Sequence, residues 1–133
     1  MRRALSIAAL LAIAGCGPDT QAPGGPLVHA VSTSGRFSLD LYTVPQPPVR
    51  GKIDARLDLR LQDGSAATGL TPTITPWMPQ HGHGSSVVPM VVETDGGNYD
   101  VNDLYLPMEG LWQLRTAIDG HGDDEIDAEI EVR

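Results

Sequence analysis

The chain has 133 residues, with 17 Asp or Glu against nine Lys or Arg, and a net charge of −8 at pH 7. An acidic surface repels the phosphates of nucleic acids and of anionic lipids, so the composition argues against nucleic-acid binding. A single cysteine excludes an intrachain disulfide and a cysteine-rich metal site.

The first sixteen residues have the pattern of a bacterial lipoprotein export signal. Arg2 and Arg3 form a positive start, residues 4–14 are apolar but too few to span a bilayer, and two small residues precede Cys16. We therefore predict cleavage after residue 15 and lipidation of Cys16, which anchors the protein to a membrane. The alternative is a plain secretory signal in which Cys16 is incidental.

This interpretation divides the chain into three parts: a signal peptide (1–15), a lipidated cysteine with a flexible tether (16–26), and one folded domain (27–133). The tether is rich in Gly and Pro and almost without apolar residues, which is typical of a spacer. The predicted location is the cell envelope, facing the periplasm or the cell surface. Gly17, directly after the cysteine, favours the outer membrane.

The folded part is dominated by apolar and polar residues in alternation, which is the period of a β-strand. The clearest case is residues 52–61, where apolar positions alternate with charged ones. The other predicted strands are residues 37–42, 70–75, 87–93, 99–106, 111–118 and 126–132. Pro89 cannot donate to a ladder, so its strand is expected at an edge or a bulge. About seven short strands without a helix predict an all-β, immunoglobulin-like antiparallel β-sandwich.

Candidate metal ligands concentrate in residues 77–84, Trp-Met-Pro-Gln-His-Gly-His-Gly, and in residues 106–114. The candidates are Met78, His81, His83, Met90 and Met108. Thioether sulfur is a soft donor that favours Cu(I), and imidazole binds copper in both oxidation states. Side chains two residues apart in an extended segment point the same way, so the two histidines are positioned to chelate one ion. Copper is the metal that this donor set favours.

Other interpretations of these residues are open. A His-Gly-His-Gly segment also suits a solvated loop, and a methionine beside Pro and Trp also suits core packing. Trp77 and Trp112 are expected to be structural and to fill the space between the sheets. His121 lies among acidic residues, where a solvated turn is favoured over a cation site. No nucleophile motif and no phosphate-binding glycine loop is present, so we expect no enzyme activity.

Three motifs together resemble the YtkA-like and FixH-like domains of bacterial envelope proteins. They are Met-Pro-x-His-x-His at residues 78–83, Asn-Tyr-Asp-Val at residues 98–101, and Leu-Pro-Met-x-Gly-x-Trp-x-Leu at residues 106–114. The resemblance covers roughly residues 37–132 and implies a small immunoglobulin-like sandwich. FixH-like proteins are associated with a copper-transporting pump and with assembly of haem-copper oxidases. They usually have a membrane-spanning helix, where this chain has a lipobox.

By this resemblance, Met78, His81 and His83 fall on a Met/His-rich loop, and Met108 and Trp112 fall on a second signature. The resemblance implies a copper-handling or oxidase-assembly protein of the envelope as partner. The sequence therefore predicts a lipid-anchored protein that binds or delivers a metal ion. The alternative is a non-catalytic interaction or structural module of the envelope without a metal.

Overall fold

The computed structural model of the protein describes residues 24–119 and 124–133. The predicted signal peptide, Cys16, most of the predicted tether and His121 lie outside the described residues. In the described part of the chain there are nine β-strands and no helix long and apolar enough to cross a membrane. The strands are β1 (Val28–Val31), β2 (Phe37–Val44), β3 (Gly51–Leu61), β4 (Thr71–Met78), β5 (His83–Gly84), β6 (Met90–Asp95), β7 (Asn98–Leu106), β8 (Gly110–Asp119) and β9 (Asp124–Val132).

Two antiparallel sheets contain these strands. One sheet has five strands in the order β1-β2-β3-β7-β6, and the other has four in the order β5-β4-β8-β9. The all-β sandwich predicted from the sequence is confirmed. Strand β6 follows Pro89 and lies at a sheet edge, as that proline predicts. Strands β1 and β5 were not predicted, because four and two residues are too few for an alternation to be recognised.

The core fills the space between the sheets and follows from the alternation. In β3, Ile53, Leu57 and Leu59 are buried, whereas their charged neighbours face the solvent. The same period along each strand turns one face inward, and removal of that apolar area from water stabilises the fold. Trp112 and Tyr99 are the largest side chains with no solvent exposure.

Two buried polar side chains attach loops to this core. The Tyr99 hydroxyl donates to the carbonyl of Ala67 at 2.7 Å and accepts the backbone N–H of Leu70 at 3.2 Å. The Asp124 carboxylate, almost completely buried, accepts the hydroxyl of Ser34 and its backbone N–H, the latter at 3.1 Å. Burial raises the pKa of Asp124, but the hydrogen bonds from Ser34 and Ser32 together with the positive charge of Arg36 outweigh it and hold the pKa below its usual value.

Candidate metal-binding site

Three proline-containing connections meet at one end of the sandwich. They are residues 45–50 between β2 and β3, residues 79–82 between β4 and β5, and residues 107–109 between β7 and β8. They lie together because β3 begins where β7 ends, with Gly51 opposite Leu106, and because the end of β4 pairs with the beginning of β8. We call this end the proline pole. It joins the two segments in which the candidate ligands concentrate.

A tight turn at the proline pole carries the two histidines. The carbonyl of Met78 accepts the backbone N–H groups of His81 at 3.2 Å and Gly82 at 3.0 Å. Gly82 has a φ of 65°, a left-handed conformation that is accessible to glycine without strain. The chain therefore reverses within four residues, and β5 returns along β4 with His83 opposite Met78 and Gly84 opposite Trp77.

The two imidazole rings lie side by side and are exposed to solvent. Their centroids are 5.7 Å apart with an interplanar angle of 41°. Two imidazoles that share one metal ion have centroids about 5–6 Å apart, because each ring nitrogen lies about 2 Å from the ion and about 1.1 Å from its own centroid. The 5.7 Å separation of the His81 and His83 centroids lies in this range.

A backbone contact orients the His83 ring. Its Nδ1 lies 3.3 Å from the carbonyl oxygen of Gly84. A protonated Nδ1 donates to this oxygen and leaves the lone pair of Nε2 available for a metal. Metal-binding histidines commonly donate their second nitrogen to a carbonyl in this way, which fixes the tautomer.

Trp112 connects the histidine turn with the second segment. Its indole is fully buried, and Nε1 donates to the carbonyl of Met108 at 2.9 Å. The same indole meets the His83 ring in a T-shaped contact, with centroids 6.5 Å apart and an interplanar angle of 74°. The indole is thus a shared wall between His83 and the backbone of Met108. Met108 itself is 36% exposed.

Comparison with known proteins identifies the family of this domain. A family model described as YtkA-like matches residues 32–117 of the chain. The chain belongs to the YtkA-like family. The matched region contains both the histidine turn and the Trp112 segment. No curated protein and no solved structure matches the chain significantly.

Met78 lies beneath this part of the YtkA-like domain, in the core. It is 1% exposed, and its terminal methyl group lies 3.0 Å from the position that a Cβ on Gly110 would occupy. Gly110 has a φ of 117° and lacks a side chain, so β8 begins close against the methionine. The structure therefore gives Met78 a packing position, with its side chain on the inner face of β4.

Met90 is on the other sheet of the YtkA-like domain. It begins β6, lies opposite Asn102 of β7, and is 58% exposed. Its neighbour Val91 packs against the core, so the alternation places Met90 on the outer face. Of the predicted ligands, the structure pairs His81 with His83 and connects the backbone of Met108 to them through the Trp112 indole, whereas Met78 is buried in the core and Met90 is on the outside of the other sheet.

Trp77 is on the outer face of the four-stranded sheet instead of between the sheets. The reason is the period of two: Ile74 and Met78 point inward, so Trp77 between them points outward. The guanidinium of Arg115 lies over its ring, 5.1 Å from the centroid. Trp77 is half-buried in this cation–π contact, and its backbone pairs with Gly84.

Imidazole, thioether and carboxylate side chains are the metal-binding groups at this pole among the residues described, with Glu109 supplying a carboxylate beside Arg50. No group of three or more His, Cys, Asp or Glu that could hold a metal ion occurs in residues 24–119 and 124–133. The histidine pair is therefore not part of such a group, and Met108, whose carbonyl contacts Trp112, is the partly exposed methionine of this pole. Two imidazoles and one thioether form a donor set suited to Cu(I).

Proposed function

We propose that this YtkA-like domain binds copper through His81 and His83, with the Met108 thioether as third donor. The observation that carries the proposal is the 5.7 Å separation of the two imidazole centroids on a turn that lies against Trp112. Copper agrees with these donors because a thioether binds Cu(I) better than harder cations, and zinc sites rarely use it. The metal in this proposal is cargo that the protein holds or delivers.

Exposure of the three donors favours delivery over permanent storage. His81 and His83 are on the surface, and Met108 is partly exposed. A three-coordinate ion at an open site leaves room for a ligand of an acceptor protein to bind before the first ligands leave.

We further propose that the domain is lipid-anchored at Cys16 outside the cytoplasm, on the basis of the export-signal pattern. A copper-handling or oxidase-assembly protein of the envelope is the proposed acceptor.

A competition titration against a chromophoric Cu(I) chelator tests the copper site. We expect one Cu(I) per chain, with zinc bound much more weakly. The double variant His81→Ala/His83→Ala is expected to lose Cu(I) binding. Met108→Leu is expected to weaken Cu(I) while changing Cu(II) less, because only the soft donor is removed.

His29→Ala is the matched control for the titration. His29 is also exposed, but it lies on β1 in the other sheet, and its Nδ1 is 2.6 Å from the carboxylate of Asp40. Its removal should leave copper binding at the parental level. Parental Cu(I) affinity in the His81→Ala/His83→Ala variant would disprove the assignment of these ligands.

A second candidate function is an interaction module without a metal, and exposed apolar residues favour it. The exposed fraction is 76% for Val88, which lies just before β6, and 58% and 45% for Met90 and Val92 within β6. Because β6 is an edge strand, one side of its backbone has no neighbouring strand in its sheet, which permits strand addition by a partner. Val92→Lys places a positive charge on this apolar surface. If the surface binds a partner, this variant should no longer be crosslinked to envelope proteins, and its copper binding should be unchanged.

A further inference from the structure

The polypeptide enters the folded domain at the proline pole. The backbone N–H of Leu27 donates to the carbonyl of Leu41 at 2.7 Å, which places the start of β1 beside the end of β2. The side-chain amide of Gln46, within the connection 45–50, donates to the carbonyl of Gly25 at 3.0 Å. Any anchor on the N-terminal side of the domain is therefore attached to the same end that carries the histidines.

The number of residues between the predicted lipid and this pole limits their separation. Gly24 follows Cys16 by eight residues, and eight residues span at most about 29 Å when fully extended. Strand β3 has 11 residues and is about 33 Å long, which is the approximate distance between the two ends of the sandwich. A lipid on Cys16 thus keeps the proline pole near the bilayer and leaves the opposite end unrestrained.

Apolar side chains are exposed at the proline pole. Val44 at the end of β2 is 62% exposed, Val49 in the connection 45–50 is 42% exposed, and Met108 is 36% exposed. Apolar side chains gain free energy when they enter the interfacial region of a bilayer. The opposite end exposes two, Val31 at 56% and Leu61 at 39%, so the apolar residues alone do not decide the orientation; they add to the effect of an anchor that enters at the proline pole.

The charges of the two ends differ. Near the proline pole the cations are matched, with Arg50 lying 3.8 Å from Glu109 and Lys52 in a salt bridge with Asp103. The opposite end, which we call the acidic pole, has exposed carboxylates on the ends or connections of four strands. They belong to Asp63, Asp95, Asp119 and Glu125. The proline pole has exposed carboxylates too, on Asp54 and Glu131, but its cations Arg50 and Lys52 offset part of their charge. An anionic bilayer therefore repels the acidic pole more strongly, and the field favours one orientation.

We infer that the domain stands on the membrane with its proline pole against the lipid surface, Val44 and Val49 in contact with the headgroup region, and the acidic pole directed away. The inference rests on the lipid anchor of the proposed function but not on copper. Its consequence is that the His81 and His83 side chains open within reach of the bilayer surface. The partner of the proline pole in this orientation is the surface of the bilayer that holds the lipid anchor.

Fluorescent labels at the two poles test the orientation in the full chain. Lipidation uses the sulfur of Cys16, so an introduced cysteine is the only free thiol. Val49→Cys labels the proline pole and Gln62→Cys, at an exposed position, labels the acidic pole. Each labelled protein is reconstituted in vesicles of phosphatidylethanolamine and phosphatidylglycerol that contain a headgroup spin-labelled lipid.

We expect the spin-labelled lipid to quench the label at position 49 several-fold more than the label at position 62. Val44→Asp in the Val49→Cys background should reduce this difference, because the added charge opposes contact with anionic lipid. Equal quenching at the two positions, or stronger quenching at position 62, would overturn the inference. A difference that appears only after a membrane protein is added would also overturn it, because the partner would then be that protein.

Failure of the lipid anchor is recognised separately. Cys16→Ser should leave the chain unable to float with vesicles, and a parental chain that does not float would show that the anchor is absent. Copper binding is measured by titration and is independent of both results. If the parental chain bound no copper but its label at position 49 were still quenched, only the proposed copper site would be contradicted.

Discussion

The close approach of β5 to β4 is expected to control the geometry of the histidine pair, and Gly84→Ala tests this dependence. A Cβ on Gly84 would lie 2.6 Å from the carbonyl oxygen of Pro76. This oxygen belongs to the backbone of β4, which pairs with β8 and cannot yield easily. The shorter strand β5 must therefore move instead, and it carries His83.

The size of the effect on copper binding follows from the overlap between the added Cβ and the Pro76 oxygen. Ordinary contact begins at 3.4 Å, so β5 must shift by about 0.8 Å from β4 at Gly84. Overpacking of this kind costs about 1–3 kcal/mol. Strand β5 has two residues, both near the surface, so we expect displacement of β5 to absorb this cost with the core intact. If the metal-bound state needs the parental geometry, the Cu(I) affinity falls by about fivefold to a hundredfold, at 1.4 kcal/mol for each factor of ten.

The assay is the Cu(I) competition titration, run beside urea unfolding of the same preparations. Gly25→Ala is the matched control, because a Cβ there meets nothing within 4 Å. We expect Gly84→Ala to weaken copper binding with a small change in unfolding free energy, and Gly25→Ala to change neither. Parental copper affinity in Gly84→Ala would refute the reasoning that contact between β5 and β4 sets the positions of the imidazoles.

Three further predictions concern stability. Tyr99→Phe should lower the unfolding free energy by about 1–3 kcal/mol in urea, because the carbonyl of Ala67 and a neighbouring backbone N–H lose their partner in the core. Met78→Ala should cost about 2–5 kcal/mol, whereas Met78→Leu, with similar volume, should cost less than about 1.5 kcal/mol and retain Cu(I) binding. The pKa of Asp124 is lower in the folded protein than in the unfolded chain, so its ionised carboxylate stabilises the fold at pH values above the unfolded pKa. This contribution is lost as the pH falls through the folded pKa. Thermal unfolding from neutral to acidic pH should therefore show a steeper loss of stability in the parent than in Asp124→Asn.

The alternation of residues made the sheets predictable but not the position of every strand. Strand β3 was recognisable because its apolar and charged residues alternate without interruption. Strand β5 was not, since two residues carry no period, and it exists only because the turn after Met78 brings His83 back along β4. The histidine pair was visible in the sequence, whereas its support by a neighbouring strand was not.

The orientation of Met78 was accessible from the sequence, but its neighbourhood was not. Thr71, Thr73 and Thr75 alternate with apolar residues up to Met78, which already indicates that Met78 points inward and that Trp77 points outward. In contrast, the fit of Gly110 against Met78 and the contact of Trp112 with His83 depend on how two distant strands meet. No local pattern encodes a contact between segments separated by some thirty residues.

The proposed copper ligands and the membrane-facing residues are different side chains of the same pole, apart from Met108. His81 and His83 project from the four-stranded sheet, whereas Val44 and Val49 belong to the five-stranded sheet and its connection. Replacement of the valines should therefore change orientation and leave copper affinity intact, and replacement of the histidines should do the opposite. Met108 belongs to both groups, so Met108→Leu should weaken Cu(I) while it retains the apolar contact with lipid. An ion released from this pole would then leave toward the bilayer, which suits an acceptor embedded in the same membrane.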